Sequence, residues 1–349
     1  MADPLNTEQL LAMVHDQQIA AIKAIEDEAV RKATEQRFAT VDKAVAQATK
    51  DWIAEFGSTR GTPEAGQALN RMVADALRAS NTALGGLEDS VISALSEAVG
   101  SAVTTATTQG AAFVEAATGA QAAANVAVPA VDLAEEAAAV RAAARESADA
   151  AAKLLKPSFI ERLGLRGILG ALRQVRNGLG RAKATITTSV NTNVTKVMQA
   201  TSTANKAPYE LWVTEKDACT RCTKYAGRLV KTGQDFPGGL SWDPKQVEEN
   251  ASPVRPPLHP HCRCQLVPWN PAWKREGEVS LPEAVQREAE RSIARGFSLP
   301  SESNASRIRA LKELLDSNPK LPKTVLARAR QDLKAGEFKR GRSVPTSNP

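Results

Sequence analysis

Apolar residues recur every three or four positions along the first part of the chain, a spacing that predicts amphipathic α-helices. In residues 7–50 the apolar positions are Leu10, Leu11, Val14, Ile19, Ile22, Ile25 and Val30. Asn6 or Thr7, which follow Pro4, are suited to cap the start of this helix. Residues 56–66, FGSTRGTPEAG, interrupt the pattern, and residues 67–99 are predicted to form a second helix. The apolar face of this second helix consists of Met72, Leu77, Leu84, Leu87, Ile92 and Leu95.

A third amphipathic pattern, in residues 156–193, is strongly cationic. Its apolar positions are Leu163, Ile168, Leu172, Val175 and Leu179. Its arginines occupy other positions: Arg162, Arg166, Arg173, Arg176 and Arg181. The pattern predicts a helix interrupted by glycines. A solvated surface is the simpler interpretation of the charged face, and contact with nucleic acid or an acidic partner is the other, so the five arginines are candidate DNA contacts.

The C-terminal 46 residues, from Asn304, predict two short helices separated at SNPKLP and then a basic tail without fixed structure. No run of 18 strongly apolar residues occurs. The least charged stretch, Ala98 to Val131, consists mostly of Ala, Gly, Thr and Ser, so no stable membrane span is predicted.

Composition changes sharply near Tyr209. Four of the five tryptophans, both tyrosines and all four cysteines lie between residues 209 and 273. We therefore predict a mainly α protein with long Ala-rich N-terminal helices, a small α+β module of zinc-binding type that carries the Cys and His residues, and short C-terminal helices followed by the tail. The predicted regions are an acidic helical region (1–150), a basic helical segment (151–205), the Cys/His module (206–275) and a basic C-terminal region (276–349).

Charge divides the chain into an acidic and a basic part. Residues 1–150 hold 11 Lys/Arg and 21 Asp/Glu, whereas residues 151–349 hold 34 and 18. The second part is therefore the one suited to contact nucleic acid. Four cysteines in 349 residues are too few for a secreted disulfide scaffold, and the first residues lack the pattern of a signal peptide, so synthesis in a reducing cytosol is expected.

The Cys/His module combines two short ligand motifs. Cys219-Thr-Arg-Cys222 is followed, 36 residues later, by His259-Pro-His-Cys262-Arg-Cys264. Two such pairs are the usual source of four tetrahedral S or N ligands for one structural Zn²⁺. Cys219, Cys222 and Cys262 are the first three predicted ligands. His259 and Cys264 compete for the fourth place, since His259 has C-x-x-C spacing to Cys262, and Cys264 points to the same face as Cys262 in an extended chain.

Three other interpretations of the cysteines remain open: a redox dithiol, two structural disulfides, and unpartnered buried thiols. A redox C-x-x-C belongs to a strand-to-helix context that the surrounding Pro and Gly do not suggest. A catalytic metal is less expected, because the thiolates fill the coordination sphere and no H-E-x-x-H or H-x-E motif adjoins them. The sequence offers no nucleophile elbow, phosphate loop or Ser-His-Asp set, and His15 lies on a segment predicted as ordinary helix, so we predict no enzyme.

The paired motif resembles the Mu F-like family of phage minor head proteins, in which W-V-T-x-x-D leads into C-x-x-C, a Gly and then H-P-x-C-R-C. The matching positions here are Trp212, Val213, Thr214, Asp217, Cys219, Cys222, Gly227, His259, Pro260, Cys262, Arg263 and Cys264. The resemblance covers about residues 180–270. The preceding helix has Thr187-Thr188-Ser189 where the family tends to have Arg-Thr-Glu.

The resemblance implies a structural minor capsid protein of a tailed bacteriophage. Such a protein would be assembled in the host cytoplasm, lie in the capsid interior near the portal, act in head morphogenesis and be delivered in some cases with the DNA. Its expected partners are the portal, other head proteins, copies of itself and packaged DNA bound by non-specific electrostatics. The alternative from a different class is a zinc-ribbon DNA-binding accessory protein unrelated to the virion.

Overall fold

The protein is mainly α-helical, with one small antiparallel sheet, as the sequence predicts. The structure is a computed structural model. It describes residues 4–61, 63, 66–128, 130–216, 218–247, 252, 254–274, 277–296 and 302–338. The predicted unstructured tail from residue 339 and the motif residue Asp217 lie outside the described residues.

Eleven α-helices are present within the described residues. They are α1 (Thr7–Ala12), α2 (Ala20–Phe56), α3 (Gln67–Leu84), α4 (Leu87–Thr118), α5 (Ala134–Leu154), α6 (Pro157–Leu163), α7 (Leu165–Ala204), α8 (Cys222–Tyr225), α9 (Leu281–Arg295), α10 (Asn304–Asp316) and α11 (Lys323–Ala335). The break predicted at 56–66 is confirmed, as are the two C-terminal helices on either side of SNPKLP. No helix among the described residues is long and apolar enough to cross a membrane.

The first helix begins at the predicted cap but is not uniform. Asn6 accepts a hydrogen bond from the backbone of Gln9, whose side chain in turn accepts one from the backbone of Asn6, which forms a capping box. Between α1 and α2 the chain forms a π-helix over Met13–Ile19. Apolar spacing alone does not distinguish π from α geometry, so our prediction of ordinary helix at His15 was wrong.

The second predicted helix is in fact two helices. α3 ends and α4 begins around Gly85 and Gly86, and Gly86 has a φ of +59° that other residues rarely adopt. The buried side of α3 includes Met72, Ala76 and Ala83, whereas Leu77 is exposed. The placement of Leu77 on the apolar face was therefore wrong, since the buried side of α3 passes through its neighbour Ala76, and the leucines on that side are Leu69 and Leu84.

The cationic segment forms one long helix after an initial break. Gly164, with a φ of +57°, separates α6 from α7, and α7 then continues for 40 residues through all its glycines. The predicted apolar positions Ile168, Leu172, Val175 and Leu179 are fully buried. The five arginines are exposed, so the amphipathic pattern is confirmed and its interruption by glycines is limited to Gly164.

The sheet contains three strands: β1 (Tyr209–Val213), β2 (Leu229–Lys231) and β3 (Gln265–Trp269). Their order is β2-β1-β3, and both pairings are antiparallel. Every residue of β3 is buried. The central strand therefore carries the chain into C-x-x-C, while the second cysteine pair leads directly into β3.

The chain folds into two compact units, each made of separated segments. Unit 1 comprises Met1–Ala24, Ser101–Ala130 and Val190–Pro349, and unit 2 comprises Ile25–Gly100 and Val131–Ser189. The Cys/His module and the C-terminal helices belong to unit 1. The four consecutive regions drawn from composition differ from these units, because helices distant in sequence pack together within each unit.

Candidate metal centre

Aromatic packing holds β1 against the segment that contains C-x-x-C. Trp212 stacks on Tyr225 with 4.6 Å between ring centroids and meets Phe236 edge-on at 5.0 Å. All three side chains are fully buried. Such aromatic pairs stabilise a core by about 0.5–1.5 kcal/mol beyond their buried area. The four-residue helix α8, which starts at Cys222 and ends at Tyr225, is thereby fixed relative to the sheet.

The C-x-x-C segment is a tight turn that presents both sulfurs to one place. The carbonyl of Cys219 accepts hydrogen bonds from both the backbone and the hydroxyl of Thr223, each at 3.0 Å. The backbone N–H of Cys222 points to the Sγ of Cys219 at 3.5 Å. N–H donors directed at a sulfur favour its thiolate form.

A carboxylate from outside the module supports this turn. Glu302 accepts hydrogen bonds from the backbone N–H of Thr220 at 2.9 Å and from its hydroxyl at 2.5 Å. Burial raises the pKa of Glu302. Sequence reasoning did not find Glu302, because 82 positions separate it from Thr220 and no motif marks it.

The second ligand segment makes its own turn before β3. The N–H of Cys262 donates to the carbonyl of His259 at 3.0 Å, and His261 between them has a φ of +63°. Cys264 directly precedes Gln265, the first residue of β3. The turn brings His259 and Cys262 together, and the strand places Cys264 on the same side.

The five predicted ligands converge as one cluster. The Nε2 of His259 lies 3.0 Å from the Sγ of Cys219 and 3.2 Å from the Sγ of Cys222. The sulfurs of Cys222 and Cys262 are 3.6 Å apart. The ligand atoms form two groups, and within each group all of them lie within 4.8 Å of one another. The groups are Cys219, Cys222 and His259, and Cys222, Cys262 and Cys264. Cys222 belongs to both groups and is therefore the centre of the cluster.

Charge in the cluster is divided between thiolates and imidazolium. Hydrogen bonding to Cys222 holds the pKa of Cys219 well below its usual value and raises that of Cys222. Hydrogen bonds from Cys222 and Cys264 lower the pKa of Cys262, while burial raises that of Cys264. Burial opposes a charged imidazole, but the hydrogen bond to Cys219 and its negative charge outweigh burial and raise the pKa of His259 to about 9.

This arrangement can hold a metal ion. Tetrahedral Zn²⁺ with bonds of about 2.3 Å to sulfur places two sulfurs about 3.8 Å apart, close to the distance between Cys222 and Cys262. A disulfide would require about 2.05 Å, and all four cysteines are free thiols. Thiolate and imidazole ligands suit zinc better than magnesium or calcium, which prefer oxygen. Neither group of ligand atoms contains both His259 and Cys264, so the fourth ligand stays open between them.

The predicted DNA-contact arginines lie on the exposed face of α6 and α7, in unit 2. Arg176 forms an ion pair with Asp42, and Arg181 pairs with Glu146 at 2.5 Å. The guanidinium of Arg162 lies over the ring of Phe159 at 5.0 Å. Two of the five are therefore already paired with carboxylates of the acidic first part of the chain, which charge counting by region did not reveal.

His15 is a second residue whose environment the sequence did not indicate. Its Nε2 lies 2.8 Å from the carbonyl oxygen of Thr214, and its Nδ1 lies 3.4 Å from a carboxylate oxygen of Glu288. The ring is buried, and burial lowers the pKa of His15. His15 thus attaches the N-terminal helix to the chain just before the C-x-x-C turn.

No protein-family model matches this chain, and no curated protein and no solved structure gives a significant match to it. The likeness to Mu F-like minor head proteins therefore rests on the residues quoted above.

Proposed function

We propose that the protein is a structural minor head protein of a tailed bacteriophage in which one structural Zn²⁺ holds the Cys/His module together. The observation that carries the proposal is the convergence of four buried cysteines and the half-buried His259 in one cluster. The same residues make up the paired motif that resembles the Mu F-like family. Trp212 and Gly227 also belong to that motif. Trp212 stacks on Tyr225 of α8, and Gly227 packs against α9.

The donor set supports a structural rather than a catalytic metal. The two overlapping groups offer five soft or borderline candidate ligands, which are enough to fill a four-coordinate tetrahedral site without a water molecule. The cysteines are buried, so substrate has no free approach to a sulfur-bound ion. Because ligand atoms from two distant chain segments meet here, metal binding contributes directly to the folding of the module.

Packing around the module supports a scaffold role. Helix α9 contacts α1, α8, α10 and α11 within unit 1, so the module is joined to both ends of the chain. The exposed arginines of α6 and α7 suit loose contact with packaged DNA, and the remaining helical surfaces suit contacts with the portal, other head proteins or further copies of the chain.

The test is mass spectrometry of purified phage particles, which are prepared from a host strain that produces the phage encoding this chain. We expect the protein in DNA-filled heads at a few copies per particle, in the host cytoplasm before assembly, and associated with the portal after mild disruption of heads. Absence from washed particles, in lysates that contain the protein, would contradict the proposal.

A nuclease-protection assay distinguishes a minor head protein from the alternative, a zinc-ribbon DNA-binding accessory protein. A minor head protein should protect DNA weakly and without a preferred sequence, whereas a regulatory protein should protect one defined site. Both candidate proteins would bind zinc. The two assays still distinguish them, because neither the particle assay nor the protection assay depends on the metal.

A further inference from the structure

Unit 2 contains a cluster of arginines that is distant in sequence from the cysteines. A cleft of about 290 Å³ lies between the loop that joins α2 to α3 and the junction of α6 with α7. Three arginines line it: Arg60 from the loop, Arg162 from the last turn of α6, and Arg166 from the first turn of α7. Arg60 was not among the residues that the sequence suggested.

Three guanidinium groups in one small cleft repel one another unless an anion lies between them. Glu161 is the single carboxylate among the lining residues. Among the described residues, none of the three arginines forms an ion pair, in contrast to Arg176 and Arg181. Glu64, in the same loop, lies outside the described residues. The lining therefore has an excess of positive charge that its own groups do not balance.

The neighbouring backbone adds to this preference for an anion. α7 begins at Leu165, which lines the cleft, and the first N–H groups of a helix have no acceptor within it. Thr59 and Gly61 also line the cleft. The ring of Phe159 supports the guanidinium of Arg162 and limits its orientations.

We propose that this cleft binds a phosphate group. The planar guanidinium group of arginine matches the geometry of phosphate, and it donates two parallel hydrogen bonds to two phosphate oxygens. The volume of about 290 Å³, close to the lower end of the roughly 300–1,000 Å³ typical of ligand pockets, has room for a phosphate group. The group comes either from free inorganic phosphate or from the backbone of a nucleic acid, and both present the same oxygens. The cleft uses Arg162 and Arg166, which the proposed function assigns to DNA contact, but phosphate binding there needs neither zinc nor a virion.

Calorimetric titration of the full-length protein with inorganic phosphate, and separately with a short mixed-sequence DNA duplex, tests the proposal. We expect Arg60→Gln and Arg166→Gln each to weaken binding about tenfold, the effect of losing a charge-assisted hydrogen bond of about 1.4 kcal/mol at a solvent-exposed site. Glu161→Gln should strengthen binding, because it removes the one opposing charge from the lining.

Arg71→Gln is the matched control, since it removes the same charge from an exposed position on α3 in the same unit. It should leave the affinity within about twofold. Circular dichroism melting of each variant separates lost binding from lost folding. Binding of free phosphate identifies the free ion as a ligand, and binding of the duplex alone identifies the backbone phosphodiester.

The proposal is overturned if neither ligand binds, or if Arg71→Gln weakens binding as much as Arg60→Gln in folded protein. It is equally overturned if Glu161→Gln and Arg166→Gln change the affinity in the same direction. None of these outcomes bears on the presence of the protein in phage particles.

Discussion

Single residues decide how the Cys/His module meets the rest of unit 1. Gly227 follows the buried Tyr225 by two positions and has a φ of +78°. A Cβ atom at this position would lie 2.3 Å from the carbonyl oxygen of Pro282 and 2.9 Å from the Cβ of Gln286, both on α9. Only glycine therefore satisfies both the backbone conformation and the close approach of the helix.

Gly227→Ala should destabilise the protein by about 3 kcal/mol, because the strain of a positive φ adds to overpacking against α9. Urea unfolding measures this loss. Gly233→Ala is the control, since Gly233 also has a positive φ, of +86°, but no atom within 4 Å of the added Cβ. It should cost only about 1 kcal/mol. Equal losses would show that α9 does not pack on the module as described.

His15 should make the stability of the protein depend on pH. Burial lowers its pKa in the folded state below the usual 6.5, so the unfolded chain takes up a proton first as the pH falls. The contribution of His15 is therefore complete above about pH 6.5 and declines below it, by up to about 1.4 kcal/mol per pH unit until the folded-state pKa is reached.

The measurement is urea unfolding between pH 7.5 and 5.5 for the native protein and for His15→Gln, which keeps a donor for the carbonyl of Thr214. Glu288, Asp16 and Lys216 also face His15, and the variant retains all three. We expect the native protein to lose more stability than His15→Gln as the pH falls. Parallel curves for the two proteins would contradict the buried position of His15.

At the scale of elements, sequence periodicity predicted most helices but not the joints between them. The break at 56–66 was evident from its Gly, Pro and Ser residues. The α3–α4 joint was not, because apolar spacing continues across Gly85 and Gly86. The π-helix at Met13–Ile19 escaped prediction for the same reason.

Arg37 on α2 stabilises the α3–α4 joint. Its guanidinium donates to the carbonyls of Ala83, Gly85 and Gly86 at 2.7–3.0 Å and to the hydroxyl of Ser90 at 2.8 Å. It thereby satisfies carbonyl groups that the end of α3 leaves without partners. Nothing in the sequence distinguishes this arginine from its neighbours.

Arg37→Met should lower the free energy of unfolding by about 2–3 kcal/mol, since several charge-assisted hydrogen bonds are lost together. Arg31→Met, on the same helix, is the control. Arg31 is exposed and pairs only with Glu28 and Glu35 of its own helix within the described residues, so its loss should cost less than about 1 kcal/mol. Thermal unfolding of both variants gives the two losses of stability. A larger loss for Arg31→Met than for Arg37→Met would contradict the role of Arg37 at the joint.

Across the whole molecule, the distribution of charge along the sequence predicted only in part which charged groups are free to contact DNA. The acidic first part and basic second part interleave in unit 2, where Asp42 and Glu146 pair with arginines of α7. A cut at residue 150 divides both compact units, so substitutions test DNA contact better than fragments. The Cys/His cluster was the reverse case: the sequence predicted that its five residues would come together, because short motif spacing fixes local geometry. The contact of Glu302 with Thr220 depends on packing that spacing does not encode.

Arg173→Gln should reduce the salt dependence of binding to duplex DNA by about 0.9 in slope, the value for one phosphate contact. Arg173 is exposed and has no ion pair among the described residues. Arg181→Gln should change the slope less, because Glu146 already balances that charge. Filter binding at several salt concentrations measures both slopes. A larger effect from Arg181 than from Arg173 would contradict DNA contact by this face.

Metal analysis of the purified full-length protein tests whether the Cys/His cluster holds zinc. Elemental analysis under reducing conditions should find one zinc per chain, lost together with the fold of the module when a chelator is added. Cys222→Ser should abolish zinc binding, since Cys222 belongs to both groups of ligand atoms, whereas His261→Ala should retain it. A folded native protein without zinc, or a Cys222→Ser protein with full zinc content, would contradict the account.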